Sequence, residues 1–162
     1  MASRVRDKLL IKETRRGDVD RVAELLRAGT DINKLASDGN TPLMRAANHG
    51  HVHLVEMLLA EGADPNKTAK DGASALFWAC RWGHEEIAGL LLAAGANVNA
   101  VRDGDYSVLN VAISHAPVAV VKALVQAGAS LDHRWLGKDP VAFAAWCGRP
   151  ELVPLLKPRR KR

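Results

Sequence analysis

Apolar positions along the chain follow two alternating patterns, and the alternation itself recurs. In the first pattern a segment opens on a hydroxyl or carboxylate residue and keeps one face small, as in Ala46 with Ala47, Ala79 with Cys80, and Ala144 with Ala145. In the second, Leu54, Val55, Leu58 and Leu59 form the apolar stripe of an amphipathic helix. Thr41, Ser74, Ser107 and Asp139 are each placed to cap a helix through a side-chain oxygen. Pro42 and Pro140 follow at the first helical position, where no amide donor is lost. The pattern predicts pairs of short helices. Gly50 and Gly83 are expected to end the first helix of a pair in the left-handed conformation. Ala116 stands where a third such glycine belongs, and would cost about 1 kcal/mol if that residue were left-handed.

The pairs recur with a fixed step. Gly29, Gly62, Gly95 and Gly128 fall 33 residues apart, and Gly17, Gly50 and Gly83 form a second series with the same spacing. A unit this short cannot bury its own apolar face, so the chain is expected to be an all-α solenoid in which each unit stacks on the next. Residues 1–157 are read as one repeat domain, with units of about 4–36, 37–69, 70–102, 103–135 and 136–157, followed by a basic tail at 158–162. Pro150 suits a helix start, whereas Pro154 crowds the first turn, so the last helix is expected to be short or bent. Both ends are expected to act as caps, the first unit being polar at Lys12, Glu13, Arg15 and Arg16.

Segments SDGNTPLMRAANHGHVHLVEMLLAEGADPN from Ser37 and KDGASALFWACRWGHEEIAGLLLAAGANVN from Lys70 superimpose without a gap and resemble the ankyrin repeat. Turn, cap, small-residue and Leu-Leu positions all agree with that family's pattern. The first unit lacks the Thr-Pro-Leu opening, the fourth moves its Asp-Gly pair one residue early, and the fifth is one residue shorter. The resemblance implies an ankyrin-like stack of about five helix-turn-helix repeats with short hairpin connections. It also implies a non-catalytic module that binds another protein, as adaptor or inhibitor, through the concave face formed by turn tips and first helices. Carried over by position, the partner-binding residues are Asn40, Arg45, Asn48, His49, Phe77, Trp78, Arg81, Trp82, Tyr106, Ser114, His115 and Trp146. Met44, Ala73, Asn110 and Lys138 lie beside them in the same face.

Composition adds one emphasis. Aromatic residues are only 4% of the chain, yet Phe77, Trp78, Trp82, Tyr106 and Trp146 all map to this face. Trp, Tyr and Arg are the side chains that most often anchor interfaces; the competing reading places Phe77 and Trp78 in the core between repeats. Trp135, in the irregular HRWLGKD connection, is expected to pack.

The net charge of +5 comes from the tail, where Lys157, Arg159, Arg160, Lys161 and Arg162 lie, while the remaining 18 bases balance 18 acids. The tail supports a second reading, an accessory protein that holds nucleic acid or an acidic partner. It also resembles a short nuclear-import signal. With no spanning apolar run and an early charged start, the expected location is cytoplasmic, with the nucleus as the alternative. Self-association through the aromatic face stays open, and the oligomeric state is unknown.

Catalytic signatures are missing. His84-Glu85-Glu86-Ile87-Ala88 begins like a zinc-protease helix but has Ala88 where the second histidine must fall. There is no nucleophile elbow and no phosphate loop, so no enzyme activity and no cofactor is expected. His49, His51 and His53 are read as structural histidines, not metal ligands. Cys80 is read as a small hydrophobe and Cys147 as the more exposed thiol.

Overall fold

Ten α-helices are described in the computed structural model, which covers residues 2–157, with side chains from Val5 onward. They fall into pairs: α1 (Ala2–Arg16) with α2 (Val19–Arg27), α3 (Pro42–His49) with α4 (Val52–Ala60), α5 (Ala75–Trp82) with α6 (Glu85–Ala93), and α7 (Val108–His115) with α8 (Val118–Gln126). The last pair is α9 (Pro140–Trp146) with a single 3-10 turn at Pro150–Leu152 that runs into α10 (Val153–Leu156). Pro154 thus leaves a broken, four-residue final helix.

Capping explains where the first helices begin. The side-chain oxygens of Thr41, Ser74, Ser107 and Asp139 accept from the amides of Met44, Phe77, Asn110 and Ala142 at 3.2, 3.2, 3.1 and 2.8 Å. Their ends are set by glycine: Gly50 and Gly83 adopt φ of 76° and 70°. Ala116 departs from this. It is extended, with φ −86° and ψ 157°, because Pro117 disfavours a helical residue before it, so the expected left-handed penalty does not arise.

The helices form two rows. α1, α3, α5, α7 and α9 pack side by side in one row, and α2, α4, α6, α8 and α10 in the other. Between them the core runs as a ribbon through Leu43, Leu58, Leu76, Leu91, Ile113 and Leu124, all essentially inaccessible to solvent. Ala46, Ala79, Cys80, Ala112 and Ala144 are equally buried and let neighbouring first helices approach closely. This is an all-α solenoid. Its only described sheet is a hairpin, β1 (Val101–Arg102) against antiparallel β2 (Tyr106–Ser107). Further bridges, Thr68 with Ser74 and Trp135 with Lys138, close the adjacent tips.

Polar stitches join successive pairs at both ends of the stack. On one side Asn33, Asn66 and Asn99 each accept from a backbone amide in the next unit, those of Asp64, Asn97 and Ser130, at 2.9, 2.7 and 2.8 Å. On the other, the His51 ring lies under Gly17 and donates from Nε2 to the Arg15 carbonyl at 3.0 Å. His84 packs under Gly50 in the same way. Where the fifth unit has Arg149 instead of histidine, its guanidinium reaches back to the carbonyls of Ile113 and Ala116 at 3.0 and 2.6 Å, capping α7 in trans.

The two ends differ. α1 is polar outward, at Lys8, Lys12 and Arg15. The far end leaves Leu136 at 61% and Trp146 at 62% exposure, and the first unit leaves Val5 at 57%, so neither end is wholly polar.

Three substitutions test this interlocking. Gly62 and Gly72 share a positive φ, 86° and 87°, but a Cβ at Gly62 meets open space whereas one at Gly72 would sit 2.4 Å from the Val101 carbonyl in the neighbouring tip hairpin. In urea unfolding, Gly62→Ala is expected to cost about 1 kcal/mol and Gly72→Ala at least about 3 kcal/mol; equal costs would contradict the close approach. Arg149→Ala is expected to lower stability by about 2 kcal/mol, because it strips the charged donor from the α7 carbonyls.

Candidate functional site

The residues expected to bind a partner divide into a surface set and a buried set. Trp82 closes α5 with 57% of its surface exposed, and its indole Nε1 donates to Asn48 Oδ1 on α3 at 2.5 Å. The Arg81 guanidinium lies 5.4 Å from the Trp82 ring centroid. Asn48, His49, Trp82 and His84 line a shallow pocket of about 380 Å³. Further along the row, Ser114 is half-buried and His115 exposed, and Trp146 is covered on one side by the Lys138 ammonium at 5.4 Å. These groups come from the last turns of successive first helices, so they form one continuous strip.

Arg45 and Phe77 are not on that strip. Arg45 is 7% exposed, with its guanidinium on the Asp38 carboxylate at 2.5 Å, because α3 is sandwiched between α1 and α5. Phe77 is 1% exposed. It stands edge-on to Trp78 and Tyr106 at 5.7 and 6.0 Å, with the Arg102 guanidinium over its ring at 5.3 Å. Its helical position is that of Met44 and Asn110, both buried, and points between repeats. Ala73, expected at a tip, is also buried.

Trp78, Asn40 and Tyr106 are half-buried and form the tip side. Asn40, Asp38, Lys70, Asp71 and Trp78 border a crevice of about 210 Å³. Arg102 covers the Trp78 ring and donates from Nε to Asp71 at 2.7 Å. Tyr106 donates to Ser114 Oγ at 3.4 Å and packs on Trp135 at 4.7 Å between ring centroids, which makes Trp135 the expected packing residue. Lys157 is exposed, whereas Arg159, Arg160, Lys161 and Arg162 lie outside the described residues.

Electrostatics sharpen the picture. Burial lowers the pKa of His49, and His51, Arg15 and Arg45 lower it further. Burial also lowers that of His115. Its bond to the Val111 carbonyl opposes the shift, and Arg81 adds to it. Burial would raise the Asp38 carboxyl, but bonds from Asn40 and the Arg45 cation outweigh it and hold the group below its ordinary value. Cys80, fully enclosed, is pushed up to about 12 and stays a thiol. Cys147 is half-buried, its sulfur 3.8 Å from Ser114 Oγ. The His49 and His51 rings lie 5.8 Å apart, but His51 faces Gly17 and His53 bonds Glu56 at 3.2 Å. Among the described residues no three His, Cys, Asp or Glu side chains converge as metal ligands.

Residues 10–102 match the family model of ankyrin repeats in three copies, more than half of the chain. The chain belongs to the ankyrin-repeat family. Ankyrin repeats are generally protein-protein interaction modules and generally non-catalytic. No curated protein matches the chain. None of the described helices is long and apolar enough to cross a membrane.

Sequence reasoning overlooked Arg15 and Arg16 as members of this ankyrin-repeat strip. The signal was present, since they lie one 33-residue step before Asn48 and His49.

Depressed imidazoles give a signed pH dependence. The unfolded chain takes up protons at His49 and His115 before the folded one does, so their contribution to stability is full above the ordinary value of 6.5 and falls as pH drops below it. A double variant, His49→Gln with His115→Gln, is expected to lose stability less steeply below that pH in thermal melts. An unchanged slope would contradict the assignment.

Proposed function

We propose that this ankyrin-repeat protein holds another protein against the strip formed by the last turns of α3, α5, α7 and α9 and the adjoining tips, acting as an adaptor or inhibitor. The observation that carries the reading is Trp82: an indole more than half exposed, yet fixed by Asn48 at 2.5 Å and backed by Arg81. An exposed aromatic held in one position loses little further entropy on binding, which is the property of an interface anchor. Asn48, His49, Arg81, Ser114, His115 and Trp146 surround it on the same strip, with Asn40, Trp78 and Tyr106 at the tips. Arg45 and Phe77 support the strip from beneath. The reading that assigns binding to the basic tail rests on residue types alone.

Affinity capture from native extract, comparing the intact chain, Trp82→Ala and a deletion of residues 158–162, separates the two. One retained protein is expected with the intact and tail-deleted forms and is expected to be weakened about thirtyfold or more by Trp82→Ala, the loss of a desolvated anchor worth roughly 2 kcal/mol. Loss only on tail deletion would overturn the strip in favour of the tail.

A further inference from the structure

Resting on that strip as the docking surface, the charge pattern narrows what it takes: we infer that the partner presents an acidic peptide segment, with carboxylates set beside an apolar residue that packs on Trp82.

Acids are excluded from the floor of this face. α3, α5, α7 and α9 contain no Asp or Glu at any position, whereas the second-row helices carry Asp20, Glu24, Glu56, Glu85 and Glu86. On α1, Glu13 is buried and paired with Arg16 at 3.3 Å, and Asp7 is paired with Lys34 at 3.8 Å. Cations are not excluded. Arg15 and Arg81 extend along the strip without an acidic partner among the described residues, and Lys138 lies over Trp146. Burial is the main cause of the lowered pKa values of His49 and His115, and Arg15 and Arg81 respectively add to it.

Beside this floor the tips carry carboxylates: Asp38 is paired with Arg45, Asp71 and Asp103 with Arg102, and Asp105 is exposed, with Lys70 among them. A continuous phosphate backbone on the strip would run close to these carboxylates. A peptide with a local acidic cluster places its charge on the floor and leaves the tips to neutral or basic residues. The geometry therefore favours a polypeptide over a nucleic acid.

Peptide display tests this with the full chain as bait. A random dodecamer library is selected against it, and the enriched peptides are measured by fluorescence anisotropy. Expected is enrichment in Asp and Glu next to an apolar residue. Binding is expected to weaken about tenfold in Arg15→Gln with Arg81→Gln, and to weaken further in about 0.5 M salt. It should also be lost in Trp82→Ala, and each variant is checked for an unchanged thermal melt. Enriched peptides without acidic bias that still need Trp82 would overturn the acidic segment while leaving the strip standing. Peptides indifferent to Trp82 would overturn both. A single-stranded dodecathymidylate that binds more tightly than any peptide and depends on Arg15 and Arg81 would overturn the peptide in favour of nucleic acid.

Discussion

No helix pair in this protein can cover its own flank; the neighbouring pair must do it. That constraint determines the rest of the structure. Each first helix keeps a small-residue face, Ala46 and Ala47 or Ala79 and Cys80, so that the next first helix can come close. Each second helix contributes its leucines to the same ribbon. The benefit of burying Leu58 or Leu91, about 2 kcal/mol apiece, appears only when the next unit is folded beside it. The amide ladder of Asn33, Asn66 and Asn99 and the trans-capping by His51 and Arg149 fix the register of that stacking more than they drive it.

Function follows from what stacking leaves over. Once both flanks of a first helix are covered, its last turn is the part that still meets solvent. Trp82 emerges there and is then tied across the repeat boundary to Asn48, so its orientation is itself a product of two units. The indole is presented by the stack. The same geometry sets the electrostatics, because the last turns of the first helices carry the partial negative charge of helix ends and α1 and α5 offset it with Arg15, Arg16 and Arg81.

Much of this was legible in the sequence, for physical reasons. A hydroxyl or carboxylate before Pro42 or Pro140, and a glycine eight or nine residues later, are local devices that act on their own backbone, and they announced the first helices correctly. The helix-breaking effect of Pro154 was equally local. What escaped was decided between units. Phe77 carries over to the face by its position in the repeat, but that position, shared with Met44 and Asn110, points between units. Arg45 was taken for a surface cation because nothing in its own segment reveals that α1 and α5 close over it. Ala116 avoided its expected penalty through Pro117 and borrowed a cap from Arg149, 33 residues away.

The dependence of each unit on its neighbour is tested most directly by native-state hydrogen exchange, resolved helix by helix. Amides of α5, covered on both sides, are expected to be protected by several kcal/mol more than those of α10, which closes an open end, with protection falling stepwise from the centre outward. Uniform protection from α1 to α10, or an α10 that outlasts α5, would contradict the claim that the units stand only by leaning on each other.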